Sequence, residues 1–192
     1  MTTKKTTSVP FRRKRIGKTD YRKRLKLLQS QKYRLVIRKS LKHIMLQIVE
    51  FSPKGDLIIA SAHSRELSKY GWKVFTKNLP ACYLTGLLLA KKVKKKLECV
   101  LDMGNTTSVK GCLVYAAVQG AIDGGLVVPC SKEIVPSKDR LCGKHIAAWA
   151  VKIKADKAKY EKQFSHYLKI SFDPEQLPVH FESVKKKILE AA

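Results

Sequence analysis

The stretch Tyr33-Arg-Leu-Val-Ile-Arg-Lys39 decides the fold class. Leu35 and Ile37 alternate with Arg34, Val36 and Arg38, the period of two that predicts a strand with one apolar face and one face carrying two arginines. Two β-rich runs follow closely, His43–Phe51 and Asp56–Ala62, joined by the turn sequence Ser52-Pro-Lys-Gly55. Together they predict an antiparallel three-stranded meander. Further on, the period changes. Leu79–Leu97 has Cys82, Leu84, Leu87, Leu88 and Val93 at helical spacing. It closes on Lys91, Lys92, Lys94, Lys95 and Lys96, cations that complement the negative end of a helix dipole. Glu98–Met103 reads as a short strand. Lys110–Gly124 reads as a helix with Ala116, Ala117, Gly120 and Ala121 on its packing face, ended by Gly124-Gly125. Leu126–Pro129 reads as a further parallel strand, and such alternation implies right-handed crossovers onto one sheet.

The expected core, residues 19–130, is therefore a three-layer α/β domain with a mixed five-stranded sheet: three antiparallel strands, then two helix–strand units. Residues 131–192 read as a helical C-terminal extension, with helices at Lys144–Ile153, Lys157–Leu168 and Val179–Glu190 and a separating turn or helix start at Asp173-Pro-Glu175. Residues 1–18 read as an extended arm, because Pro10 and Gly17 oppose a helix. Thr19-Asp20 offers a helix cap, and Tyr21, Leu25 and Leu28 continue at helical spacing.

Charge is the strongest functional signal. The 192 residues hold 40 Lys and Arg against 15 Asp and Glu, a formal net charge of +25. Such self-repulsion destabilises a compact chain and points to a polyanionic partner. Apolar residues make up 44%, enough for a sizeable core and too many for a disordered polybasic tail. Residues 1–49 carry nine Lys and seven Arg against one acid, Asp20. Seven of the nine arginines lie at Arg12, Arg13, Arg15, Arg22, Arg24, Arg34 and Arg38. The guanidinium fork binds phosphate bidentately and stacks on bases, so their concentration argues for contact rather than a diffuse field. Phe11 and Tyr21 interleave with these cations, a mixture suited to unpaired RNA bases. A merely solubilising or localisation-type basic arm is the plainer alternative.

Other chemistry is sparse. No stretch approaches the roughly 18 apolar residues of a membrane span, and no hydrophobic secretory segment appears in residues 1–15. The five cysteines, Cys82, Cys99, Cys112, Cys130 and Cys142, are odd in number and scattered, which predicts reduced thiols. Cys130, Cys142 and His145 fall short of the four ligands structural zinc wants. Asp102, Asp123 and Glu66 are the acids a metal-dependent nuclease would have to draw together, yet they are widely separated in sequence. The five histidines have no Ser or Cys partner in a recognisable nucleophile motif. The loop Gly104–Gly111 lacks the P-loop order and reads as structural, with an RNA phosphate on its amides as the alternative.

With these residues laid out, the chain resembles a known family, the universal large-subunit ribosomal proteins numbered eighteen that bind 5S ribosomal RNA, in their archaeal/eukaryotic-type long form. Ordered segments carry the resemblance: Pro10–Leu28, Arg34–Ser40, Ser61-Ala-His-Ser-Arg-Glu-Leu67, Lys110–Gly125, Pro136–Ile146, Phe164–Leu168 and Leu177–Phe181. Gly71–Lys77 and Cys142 depart from the family pattern without touching the RNA-facing motifs. The resemblance implies a ribonuclease-H-like core without catalytic acids, no enzymatic activity, no cofactor, no metal and no membrane. It implies a ribosome-bound protein of the cytoplasm, in the central protuberance, beside 5S rRNA, large-subunit rRNA and neighbouring large-subunit proteins including number five. The expected RNA contacts are Phe11, Arg12, Arg13, Lys14, Arg15, Lys18, Tyr21, Arg22 and Arg24 in the arm and first helix. Arg34, Arg38, Lys39 and Ser40 follow on the sheet edge, with His63 and Arg65 at the end of the third strand. A fold-related nuclease and a non-ribosomal RNA-binding adaptor are the alternatives.

Overall fold

Alternation along residues 33–63 builds the expected meander. In the computed structural model, which describes residues 8–93 and 95–191, β1 (Tyr33–Lys39) pairs antiparallel with β2 (Ile44–Glu50), and β2 with β3 (Leu57–His63). The fourth strand, β4 (Cys99–Asp102), runs parallel to β1 in the register Tyr33↔Cys99 to Val36↔Asp102, giving the order β3-β2-β1-β4. The register between β2 and β3 shifts at Ile48/Val49, where Ile59 is left unpaired as a β-bulge. Leu35, Ile37, Ile44, Leu46, Ile48 and Ala62 face the core; Arg34, Val36, Gln47, Val49, Val100 and Asp102 face the other way.

Five expectations change. Among the described residues the sheet has four strands rather than five. The segment expected at Leu126–Pro129 makes one parallel bridge, Glu98↔Val127, through Cys99 N–H to Val127 O (2.8 Å) and Val127 N–H to Leu97 O (3.0 Å). Gly124-Gly125 precede it and Pro129 has no N–H to donate, so the ladder has nowhere to grow. The third helix is shorter: α3 (Leu79–Lys92) stops before the lysine run ends. The next, α4 (Leu113–Asp123), starts after Cys112. Residues 12–15 are not extended. They form one helical turn, α1 (Arg12–Arg15), in which Phe11 O accepts from Lys14 N–H (2.9 Å) and Arg15 N–H (3.1 Å). Pro10 lies before this turn, where a missing N–H costs nothing, and Gly17 at φ +65° ends it. Finally, the layers are unequal: the core helices crowd one face of the sheet, and among the described helices α2 (Tyr21–Gln29) stands over the other.

Twelve of the fourteen residues of α3 are buried, because the sheet, α4 and the C-terminal helix all pack on it. The α3–α4 crossing is close because both helices present glycine. A Cβ on Gly86 would fall 2.0 Å from Ala117 O, and one on Gly120 2.0 Å from Tyr83 O. The extension comprises α5 (Lys138–Leu141), α6 (Lys144–Ile153), α7 (Lys157–Lys169), a 3-10 turn (Pro174–Gln176) and α8 (Leu177–Glu190). Leu177, Phe181, Val184 and Ile188 recur along one stripe of α8 and are all buried in the common core.

Candidate nucleic-acid interface

The N-terminal segment is held lightly. Neither α1 nor α2 buries a residue. Phe11, 72% exposed, meets the Tyr21 ring at 5.3 Å between centroids, and Arg13 Nε donates to Thr19 Oγ1 at 2.8 Å. These contacts fold α1 back onto the start of α2. Asp20 caps α2, accepting from Arg22 N–H (3.0 Å) and Lys23 N–H (3.2 Å); the Lys23 backbone bond first among several causes lowers its carboxyl below the usual range. Asn105 ties the segment to the body by donating its side-chain amide to Gly17 O. Arg12, Arg13, Lys14, Arg15, Lys18 and Arg22 are exposed, and among the described residues none of them has an acidic partner within salt-bridge distance.

The arginines nearer the sheet differ. Arg24 pairs with Asp56 at 2.9 Å. Arg34, expected on an outward RNA-facing surface, is only 4% exposed and is spent on two acids, Asp56 (2.6 Å) and Asp102 (3.4 Å). A guanidinium so buried requires such partners, and they leave it no free face for phosphate. Arg38 is half-exposed. It holds Asp102 Oδ1 at 2.9 Å and donates to the carbonyls of Asp102 (2.7 Å) and Ile37 (2.9 Å). Gly104 N–H completes the shell of Asp102 at 2.8 Å. Arg24–Asp56–Arg34–Asp102–Arg38 is thus a chain of alternating charges that joins α2 to β1, to β4 and to the turn before β3. Between α2 and the open face of the sheet lies a groove of about 920 Å³, with Val36, Val49, Ile58 and Val100 in its lining and Arg13, Lys18, Lys23 and Lys26 among its cations.

At the end of β1, Lys39 is exposed, whereas Ser40 closes the turn to β2: its hydroxyl donates to His43 O (3.1 Å) and accepts from His43 N–H (3.0 Å). His63 caps the 3-10 helix Ser64–Tyr70, its Nδ1 accepting from Arg65 N–H at 3.2 Å. Arg65 itself is exposed. Sequence reasoning did not single out His43. Its ring lies 4.9 Å from that of His63, with Nδ1 at 2.9 Å from Thr76 Oγ1 and 3.2 Å from Ser64 Oγ. Burial, then the positive groups His63, Arg65 and Lys42, lower its pKa. Asp56 and Asp102, which organise three arginines, were also not read as arginine partners. No local spacing signals a pairing that only the strand register creates.

The acids of the nuclease alternative are each engaged locally. Asp102 is held as above. Asp123 accepts from Tyr83 OH (2.6 Å) and Gln119 Nε2 (2.7 Å), and Glu66 accepts from His63 N–H (3.0 Å) and pairs with Lys92 (2.5 Å). Burial, then the Asp123 bond, pushes the Tyr83 hydroxyl pKa up. Among the described residues no three His, Cys, Asp or Glu side chains cluster as metal ligands, Cys130, Cys142 and His145 included. All five thiols are unpaired with one another, and burial pushes Cys82 up to about 12 and Cys99 to about 11. Among the described residues no helix is long and apolar enough to cross a membrane. Compared with known families, residues 5–99 match the model for ribosomal large subunit proteins 60S L5 and 50S L18.

Proposed function

We infer the function from one premise: over residues 5–99 this chain belongs to the family of ribosomal large subunit proteins 60S L5 and 50S L18. It is a structural, non-enzymatic constituent of the large ribosomal subunit. Within that role it binds 5S rRNA and anchors it to large-subunit rRNA in the central protuberance, beside neighbouring large-subunit proteins including number five, on ribosomes of the cytoplasm.

One observation carries this reading. The exposed cations Arg12, Arg13, Lys14, Arg15, Lys18 and Arg22 have no acidic partner among the described residues, while Arg24, Arg34 and Arg38, a few residues on, are neutralised within the fold. The fold already neutralises these three arginines. The unsatisfied set is left for an external anion, and RNA phosphates match guanidinium forks. Phe11 and Tyr21 stand among these cations as a stacking surface for unpaired bases. Lys39, His63 and Arg65 form a lesser contact at the end of the meander, with Ser40 shaping the turn between them. Residues 1–18 act as the RNA-binding arm, 19–130 as the body and 131–192 as the extension.

The test is a salt titration of the full chain against a 5S rRNA transcript. With Arg12, Arg13 and Arg15 all changed to Ala, the slope of log affinity against log salt falls by roughly 2 to 3, since each lost phosphate contact removes about 0.7–0.9. The melting temperature stays within about one degree, because none of the three is buried. Unchanged binding by the triple variant overturns the reading.

A further inference from the structure

We propose that Lys95 and Lys96, beside Lys32, form a second phosphate-binding site at the opposite end of the sheet from the arm. The proposal rests on the RNA-binding reading above and extends its footprint.

The lysine run after α3 is more than a helix-dipole device. That compensation fades beyond the last turn, and α3 ends at Lys92. Lys92 is already used: its Nζ meets Glu66 at 2.5 Å and donates to Ser61 O at 2.7 Å. Lys32 is paired with Glu98 at 2.8 Å. Lys95 and Lys96 lie past the helix, exposed, and without an acidic partner among the described residues. The two lysines are consecutive, and among the described residues no carboxylate comes within salt-bridge distance of either ammonium group.

Topology places them. Tyr33 pairs with Cys99, so Lys32 and Glu98 sit where β1 and β4 begin, with Lys95 and Lys96 just before. The Gly17–Asn105 contact and the Arg38–Asp102 pair sit where those strands finish. Seven residues of β1 at about 3.3 Å each separate the two ends by roughly 20 Å. The chain spans that gap through α2: Gly17 is tied at one end, and Ser30–Lys32 lead into β1 at the other. Lys23 and Lys26 on α2 are exposed between them. The result is a line of cations from Lys18 through α2 to Lys95 and Lys96, long enough for several phosphates of one strand. Lysine offers a point charge without a planar fork, so this end grips backbone and does not read bases.

The test compares two double variants of equal net charge by the same titration against the 5S rRNA transcript: Lys95→Gln with Lys96→Gln, and Lys157→Gln with Lys162→Gln on exposed positions of α7. The first lowers the salt slope by roughly 1.4 to 1.8, the value for two lost contacts. The second leaves it at the wild-type value. Equal slopes for both pairs mean that Lys95 and Lys96 act through net charge alone, and the proposed site falls. If the Arg12, Arg13, Arg15 variant loses binding while the Lys95, Lys96 pair matches wild type, only this site falls. If the arginine variant also binds normally, the RNA reading falls with it.

Discussion

The two ends of the chain are both basic and both lie outside the sheet, yet they are attached by different physics. Among the described residues, 8–32 bury nothing: ion pairs from Arg24 to Asp56 and from Lys32 to Glu98, one ring contact, the Arg13–Thr19 bond and one side-chain amide hold them to themselves and to the body. The C-terminal extension is held by Leu177, Phe181, Val184 and Ile188 on α8, with the His180 ring between Trp72 (5.2 Å) and Phe172 (5.0 Å). Apolar burial makes an extension part of the fold. Charge without burial leaves it available to a ligand that supplies the opposite sign.

That contrast can be broken by substitution. The largest effect belongs to Phe181→Ala, which removes a ring that is 2% exposed and lies 5.5 Å from the Tyr83 ring. The expected cost is about 3–5 kcal/mol, read as a fall of roughly 6–20 °C in melting temperature. A melting point within a degree of wild type would show that the extension is no more integral than the arm. Asp56→Asn comes next. It removes the 2.6 Å partner of buried Arg34 and the tie to Arg24 together. Stability drops by about 2–3 kcal/mol, since Asp102 still compensates Arg34 in part, and trypsin cuts faster between Arg22 and Lys26. Unchanged trypsin kinetics would mean that another contact holds α2 in place. The smallest effect is a pH dependence. Burial first, then Lys187 and Lys73, lowers the pKa of His180 below its ordinary value. The folded state therefore disfavours the charged ring. Its contribution is complete above the ordinary histidine value and is lost as pH falls through that value toward the folded one. Melting temperature should drop between pH 7.5 and 5.5. His180→Phe keeps the ring packing and should make the drop shallower, though His43 and His145, which are shifted the same way, retain part of it. An identical pH profile in this variant would remove His180 from the account.

Much of the fold was legible because its determinants are local. Alternation at residues 33–39 gave β1 to the residue, Asp20 capped α2, and the small residues of α4 faced α3. What escaped was set by distant partners or by competition. Residues 12–15 curl where Phe11 packs against the tilted Tyr21 ring, a contact across ten positions that Pro10 and Gly17 do not reveal. The segment at 126–129 has strand-like residues but lacks donors at its end. Arg34 looked outward by parity, and it does lie on that face; its neutralisers, Asp56 and Asp102, come from a turn and from a strand dozens of residues away. The same register that buried one arginine left the earlier ones unmatched, so the pattern of satisfied and unsatisfied cations could be seen only once the strands were aligned.

The outer edge of β3 has a consequence for the chain before it meets any partner. Leu57, Ile58 and Ile59 are exposed there, the kind of border that recruits further strands into aggregates. The unpaired Ile59 twists that border out of step, and the Lys92 ammonium occupies the Ser61 carbonyl. A newly made copy thus meets its sisters with a blunted seam, and can remain in solution at the stage when no nucleic acid yet screens its charge.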